Sequence, residues 1–241
     1  MKHYYLCGPW ARHLTPALTG MALLLATAAR AQNPTFASPV AYAAGGYAQG
    51  IISADFNGDG RPDLATANSG SSNVGVLLQS GTTAGAFLTP SLYNGGDFTP
   101  VLAAGDLNGD NRPDIAFISQ STISVGVLLN SATTPGTFAT PTFYPASNGS
   151  SSSRGVAIAD VNGDGRNDLI TGNATQIGVR LNSTTTPGTF PTLATYASGN
   201  GTGSTDEIVV GDVNGDGRPD IIAANTNTNT ISVLLNSATT P

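Results

Sequence analysis

Short apolar runs rich in Val, Ile, Leu and Ala punctuate the chain, and none carries the 3.6-residue stripe of an amphipathic helix. They recur in sets of three: 51–54, 64–67 and 74–78; 101–105, 115–118 and 123–129; 156–159, 169–171 and 177–181; 208–211, 221–224 and 231–235. Each set is preceded by a segment with Phe and, six residues on, Tyr: Phe36 and Tyr42, Phe87 and Tyr93, Phe138 and Tyr144, Phe190 and Tyr196. Side chains alternate along a strand, so this separation puts both rings on one face. The pattern predicts four strands per unit, opened by the Phe/Tyr strand, and four units of about 52 residues. Runs apolar on both faces suit small sheets covered on both sides, and the rings are expected to pack between sheets. Ala and Gly before the second gap suit strands near a crowded axis. The architecture expected is all-β: a β-propeller of four-stranded blades.

Between the first and second apolar runs of each set the same nine-residue phrase returns: Asp55–Asp63 (DFNGDGRPD), Asp106–Asp114 (DLNGDNRPD), Asp160–Asp168 (DVNGDGRND) and Asp212–Asp220 (DVNGDGRPD). Positions 1, 3, 5 and 9 carry oxygen-bearing side chains, so alternate residues can turn toward one centre. A hard cation such as calcium takes 6 to 8 oxygens in flexible geometry. The ligands expected are Asp55, Asn57, Asp59, Asp63; Asp106, Asn108, Asp110, Asp114; Asp160, Asn162, Asp164, Asp168; and Asp212, Asn214, Asp216, Asp220. Position 7, Arg61, Arg112, Arg166 and Arg218, is expected to lend its backbone carbonyl while its side chain stays outside as a counter-charge. Gly60, Gly165 and Gly217 at position 6 suit a turn with positive φ, and Asn111 is the best non-glycine substitute. Any single copy could be a solvated turn; four in one register favour about four calcium ions. An EF-hand would continue to an acid at position 12, where this chain has Thr66, Phe117, Thr171 and Ala223.

Composition sharpens this. Of fifteen acidic residues only Asp97, Asp206 and Glu207 lie outside the loops. Residues 1–31 resemble a secretion signal, with Lys2 and Arg12 before an apolar stretch from Ala17 to Ala29 and small residues at Ala29 and Ala31. Its apolar core is short for a bilayer span, so no membrane span is expected after cleavage. Every Cys, His, Lys and Trp lies within that segment. Residues 32–241 therefore have no disulfide, no Ser-His-Asp or Cys-His centre and no histidine metal site. With six arginines against fifteen acids they offer no basic stripe for nucleic acid. Asn148, Asn173, Asn182 and Asn200 match the N-glycosylation acceptor pattern. Tyr47 and Phe98 stand outside the Phe/Tyr register as rings available to a ligand.

The Asp-x-Asn-Gly-Asp loops, together with Gly136-Thr137-Phe138 and Gly188-Thr189-Phe190, resemble the FG-GAP repeats of integrin-type β-propellers and their bacterial relatives, the VCBS-type repeats. The likeness runs from about Thr35 to the end, although no Gly-Ala-Pro triplet occurs. It implies calcium in each acidic loop, between the first two strands of a blade. Repeats matched to a ring of about seven blades turn by ~51° each, so four cover little more than half a circle. An open arc, or part of a larger propeller, is expected; in a closed ring the Phe36–Tyr42 strand would pair with Ile231–Leu235. The function expected is a secreted, calcium-binding, non-catalytic module for adhesion, binding or display of a protein or glycan. The alternatives are an accessory repeat region of a larger secreted protein and, disfavoured by the missing His, Lys and Cys, a propeller-based hydrolase or lyase.

Overall fold

Each set of apolar runs folds into an antiparallel meander, because successive runs are joined by turns too short for any crossover. The computed structural model describes residues 35–97, 100–148, 153–199, 205–226 and 228–237. The first sheet orders β1 (Ala48–Ala54), β2 (Asp63–Asn68), β3 (Asn73–Leu77) and β4 (Ser91–Asn94). The second holds β5 (Leu102–Gly105), β6 (Asp114–Ser119), β7 (Ser124–Leu128) and β8 (Thr142–Pro145). In the third lie β9 (Ser153–Ala159), β10 (Asp168–Asn173), β11 (Gln176–Leu181) and β12 (Thr192–Ala197), and in the last β13 (Thr205–Gly211), β14 (Asp220–Asn225) and β15 (Thr230–Leu234).

The chain divides into Met1–Val40 and Ala41–Pro241. Of the first unit only residues 35–40 are described, and they hold no strand. The expected leader lies outside the described residues.

The cores sit between sheets rather than within them. On β6, Ile115 and Phe117 pack with Phe56, Val74 and Val76 of the first sheet's side, while Ala116 and Ile118 pack with Val156 and Leu169 of the third. Period-two alternation thus feeds two cores from one strand, which is why the runs are apolar on both faces. A third cluster, including Ile170, Ile177, Ile208 and Ile221, joins the last two sheets. The inner strands run close: the Cα of Gly105 faces Ile158, and a Cβ there would lie 2.8 Å from the isoleucine side chain.

The expected rings pack in pairs, two of which bridge neighbouring sheets, while Tyr42 lies in no strand. Tyr42 meets Phe87, Tyr93 meets Phe138 and Tyr144 meets Phe190, each edge to face with centroids 5.4, 5.4 and 5.6 Å apart.

One expectation is corrected. The strand bearing the Tyr does not open its unit; it closes the sheet before it, as β4, β8 and β12 pair with β3, β7 and β11, and Phe87, Phe138 and Phe190 lie before these strands rather than on them. Sequence unit and sheet are therefore out of phase by one strand. For the first unit the expected strand from Phe36 is absent, residues 35–47 carrying no strand, and the last sheet has three strands. Among the described residues β15 pairs with β14 alone, so the sheets form an open arrangement.

Candidate functional site: four acidic loops

Each acidic phrase connects the first two strands of its sheet, and its carboxylates organise the turn before any ligand is considered. At position 1, Asp55 Oδ1 accepts hydrogen bonds from the Gly58 and Asp59 amides at 2.7 and 3.1 Å, and Oδ2 one from the Gly60 amide at 2.8 Å. Asp106, Asp160 and Asp212 repeat this. The backbone can wrap so tightly because position 6 is left-handed: φ is +79° at Gly60 and +61° at Asn111, the asparagine taking the conformation expected of it.

At position 3, Asn57 Oδ1 accepts from the Asp59 amide at 2.9 Å. At position 5, Asp59 Oδ1 accepts from the Arg61 amide at 2.9 Å, and Oδ2 pairs with the Arg61 guanidinium at 2.7 Å. Arg112, Arg166 and Arg218 pair likewise with Asp110, Asp164 and Asp216. The arginine is thus the counter-charge expected, held on the position-5 carboxylate. Burial raises the Asp59 carboxyl pKa, but hydrogen bonds from the Arg61 amide, the Asn57 amide group and the Arg61 side chain outweigh it and leave it below the usual range. Asp164 is lowered in the same way, and Asp212 chiefly by the Gly217 amide.

Position 9 differs. Asp63, Asp114, Asp168 and Asp220 are fully buried. Asp63 Oδ2 accepts from the Phe56 amide at 3.0 Å and Oδ1 from the Gln79 amide, just past β3, at 2.7 Å. The other three make the equivalent pair of bonds, so this carboxylate staples loop to sheet. Burial first, and then the charges of Asp110 and Asp106, push the Asp114 carboxyl up to about 6 against the bonds from Asn130 and Leu107. Burial, Asp164 and Asp160 do the same to Asp168, also to about 6. Asp63 is raised by burial and by Asp59.

The donor set is all oxygen, the chemistry a hard cation selects. As the side chains stand, no three carboxylates converge as a ready metal cage among the described residues. Position 5 is turned onto arginine and position 9 onto backbone amides, while Arg61, Arg112 and Arg166 each keep a buried Nε without a hydrogen-bond partner. Positions 1, 3 and 5 of each loop lie within the turn, and position 9 opens the strand that follows it.

Sequence reasoning missed a second set of residues. Asn130, directly after β7, donates from Nδ2 to the carbonyls of Phe56 at 2.8 Å and Pro113 at 3.0 Å, and accepts the Gly136 amide on Oδ1 at 3.0 Å. Asn182 ties Leu107, Asn167 and Gly188 in the same way, and Asn236 reaches Val161 and Pro219. Each asparagine latches its sheet to the acidic loop of the sheet before. The signal was there: Leu-Leu-Gln-Ser, Leu-Leu-Asn-Ser, Arg-Leu-Asn-Ser and Leu-Leu-Asn-Ser at 77–80, 128–131, 180–183 and 234–237. Asn182 and Asn173, two of the glycosylation matches, are buried. Tyr47 is exposed; Phe98 lies outside the described residues. Asp97 follows β4 and Glu207 sits on β13, in different sheets.

The FG-GAP-like repeat profile matches the chain three times, over residues 55–117, 106–171 and 160–223. No curated protein sequence matches it. Among solved structures, BBS1N, in a crystal structure in complex with ARL6DN soaked with lead, superposes with a TM-score of 0.50 at 13% identity. That match covers 82% of this chain and 59% of BBS1N, so the chain spans under two thirds of that relative. The V. cholerae biofilm matrix protein Bap1 gives a TM-score of 0.39 at 20% identity, covering 72% of this chain and 27% of Bap1. Among the described residues no helix is long and apolar enough to cross a membrane.

Proposed function

Because the chain belongs to the FG-GAP-like repeat family, we propose that it is a secreted, calcium-stabilised module that binds or displays a partner and performs no catalysis of its own. The observation that carries the calcium reading is the position-9 carboxylate. A fully buried Asp114, pushed up to about 6 with Asp106 and Asp110 close by, is a concentration of negative charge that one arginine offsets only in part. A divalent cation held by positions 1, 3, 5 and 9 and the position-7 carbonyl supplies the missing charge and bridges loop to strand. Its role is structural.

The absence of His, Cys and Lys beyond residue 13 supports a non-catalytic role, since the usual nucleophile-activating bases are missing. A protein partner is favoured by the fold's likeness to BBS1N, whose structure is a complex with another protein. Titration calorimetry and metal analysis in millimolar calcium test the first half of this reading, with about four ions per chain expected and fewer than two overturning it. Protein and glycan arrays probed with and without calcium test the second: a partner retained in calcium is expected, and turnover of any arrayed substrate overturns it.

A further inference from the structure

Among the described residues the last sheet has three strands where the others have four. β15 pairs with β14 alone among the described residues, Ile231 is 70% exposed, and beside it, between the third and fourth sheets, lies a cavity of about 550 Å³. Its walls include Val161, Asn162, Leu181 and Tyr196. At the first junction the same four places are Phe56, Asn57, Leu78 and Tyr93, and they are filled. The Phe138 ring lies 5.5 Å from that of Phe56 and 5.4 Å from that of Tyr93, and a Cβ on Gly136 would stand 3.1 Å from Asn57 and Leu78. At the second junction Phe190 and Gly188 fill the place in the same way against Tyr144, Asn108 and Leu129. The cavity is therefore the slot for a Thr-Phe turn leading into an outer strand.

Among the described residues one such segment belongs to no sheet. Residues 35–42 read Thr-Phe-Ala-Ser-Pro-Val-Ala-Tyr, against Thr-Phe-Ala-Thr-Pro-Thr-Phe-Tyr at 137–144. Phe36 is 91% exposed, whereas Phe138 and Phe190 are buried. Tyr42 already packs on Phe87 as Tyr93 packs on Phe138, so it occupies the place of a Tyr from a preceding sheet. At the other end Val213 is 55% exposed where its counterparts Phe56 and Leu107 are fully covered.

We propose that residues 35–42 of a second copy of this chain add to β15 as its fourth strand, with Phe36 seated in the cavity, so that copies join head to tail through a junction that repeats those inside the chain. The internal pairs Val125 with Tyr144 and Asn130 with Phe138 set the register: Ile231 faces the second copy's Tyr42, and Asn236 faces its Phe36. Two copies supply eight sheets, within the range of closed propellers, so a dimer with two such junctions is the expected assembly.

Light scattering after size exclusion tests this on the whole chain across the micromolar range. The unaltered chain is expected as a dimer. Phe36→Asp, which removes the inserted ring from a fully exposed position, and Tyr196→Asp, which charges the slot, are each expected as folded monomers. Mixed, they form a 1:1 complex, because the intact strand of one meets the intact slot of the other. A monomeric unaltered chain, a Phe36→Asp variant that still dimerises, or a mixture that stays monomeric overturns the proposal.

Discussion

Tyr93 and Phe138 meet edge to face at 5.4 Å although Tyr93 lies on β4 of the first sheet and Phe138 on the connection into β8 of the second, and the Tyr93 hydroxyl accepts a hydrogen bond from the Phe138 amide at 3.3 Å. One ring pair therefore joins sheet to sheet through both its faces and its polar tip. Phe138 also packs on Phe56, so Phe138→Ala opens a gap between two sheets rather than within one. The expected loss is about 3–5 kcal/mol in chemical denaturation. A loss under about 1 kcal/mol would mean that the ring is not part of the shared core.

The asparagine latch predicts a comparable effect from a polar residue. Asn182→Ala leaves the Leu107 and Asn167 carbonyls without their donor and the Gly188 amide without its acceptor. Roughly 2–4 kcal/mol of destabilisation is expected by urea titration, allowing for partial repair by water. Asn182→Asp keeps the acceptor but loses both donors, so it should not rescue.

Positions 5 and 9 of one loop should part company when calcium is removed. Asp63→Ala strips the buried Phe56 amide and the part-buried Gln79 amide of their acceptor, so it destabilises by roughly 2–4 kcal/mol even in chelator. Asp59→Ala breaks only exposed bonds, with the Arg61 amide and guanidinium and with the Asn57 side chain, and should leave stability there nearly unchanged. In calcium at about 100 times the dissociation constant, one independent site adds ~2.7 kcal/mol, and Asp59→Ala should forfeit most of it. Melting curves of both variants with and without calcium decide this, and equal behaviour of the two would contradict the assignment.

Acidity should act in opposite directions on the metal-free and calcium-loaded chain. Asp114 and Asp168 are raised from 3.8 to about 6 in the folded state, so between those values the folded chain binds protons that the unfolded chain releases. Stability in chelator should therefore fall as the pH rises from about 4 through about 6, and level off above. Below that window Asp59, Asp164 and Asp212, whose pKa values are lowered, pull the other way. With calcium the trend over pH 4 to 6 reverses, since a cation needs the carboxylates deprotonated. Denaturant midpoints at pH 5 and 7.5, each with calcium and with chelator, give the sign.

Strands and loops were legible because both rest on local rules. Alternating apolar residues such as Ile115 to Ile118 can only serve a sheet covered on both faces, and Asp55, Asn57 and Asp59 can only crowd one turn. The phase of the repeat was not legible: the segment ending at Tyr93 has the same side chains whether it opens one sheet or closes the previous one. Only the β3–β4 pairing decides. Nor could spacing separate the two duties of Asp63, because a carboxylate two residues from a turn reads alike whether it faces a cation or two buried amides. The latch was hidden by composition, since Asn130 and Asn182 stand among many asparagines and their partners lie some 75 residues away.

Every core cluster in this chain is owned jointly by two sheets, and that arrangement sets the order in which the molecule comes apart. A middle strand such as β6 or β10 feeds cores on both sides, whereas the described residues of the first and last sheets share a core on one side only. In a single copy, unfolding should therefore begin at the first and last described sheets and travel inward like an unravelling rope, with amide exchange slowest in the middle sheets. A weak inner repeat would then be shielded by its neighbours, and the same defect in an end repeat would be felt at once.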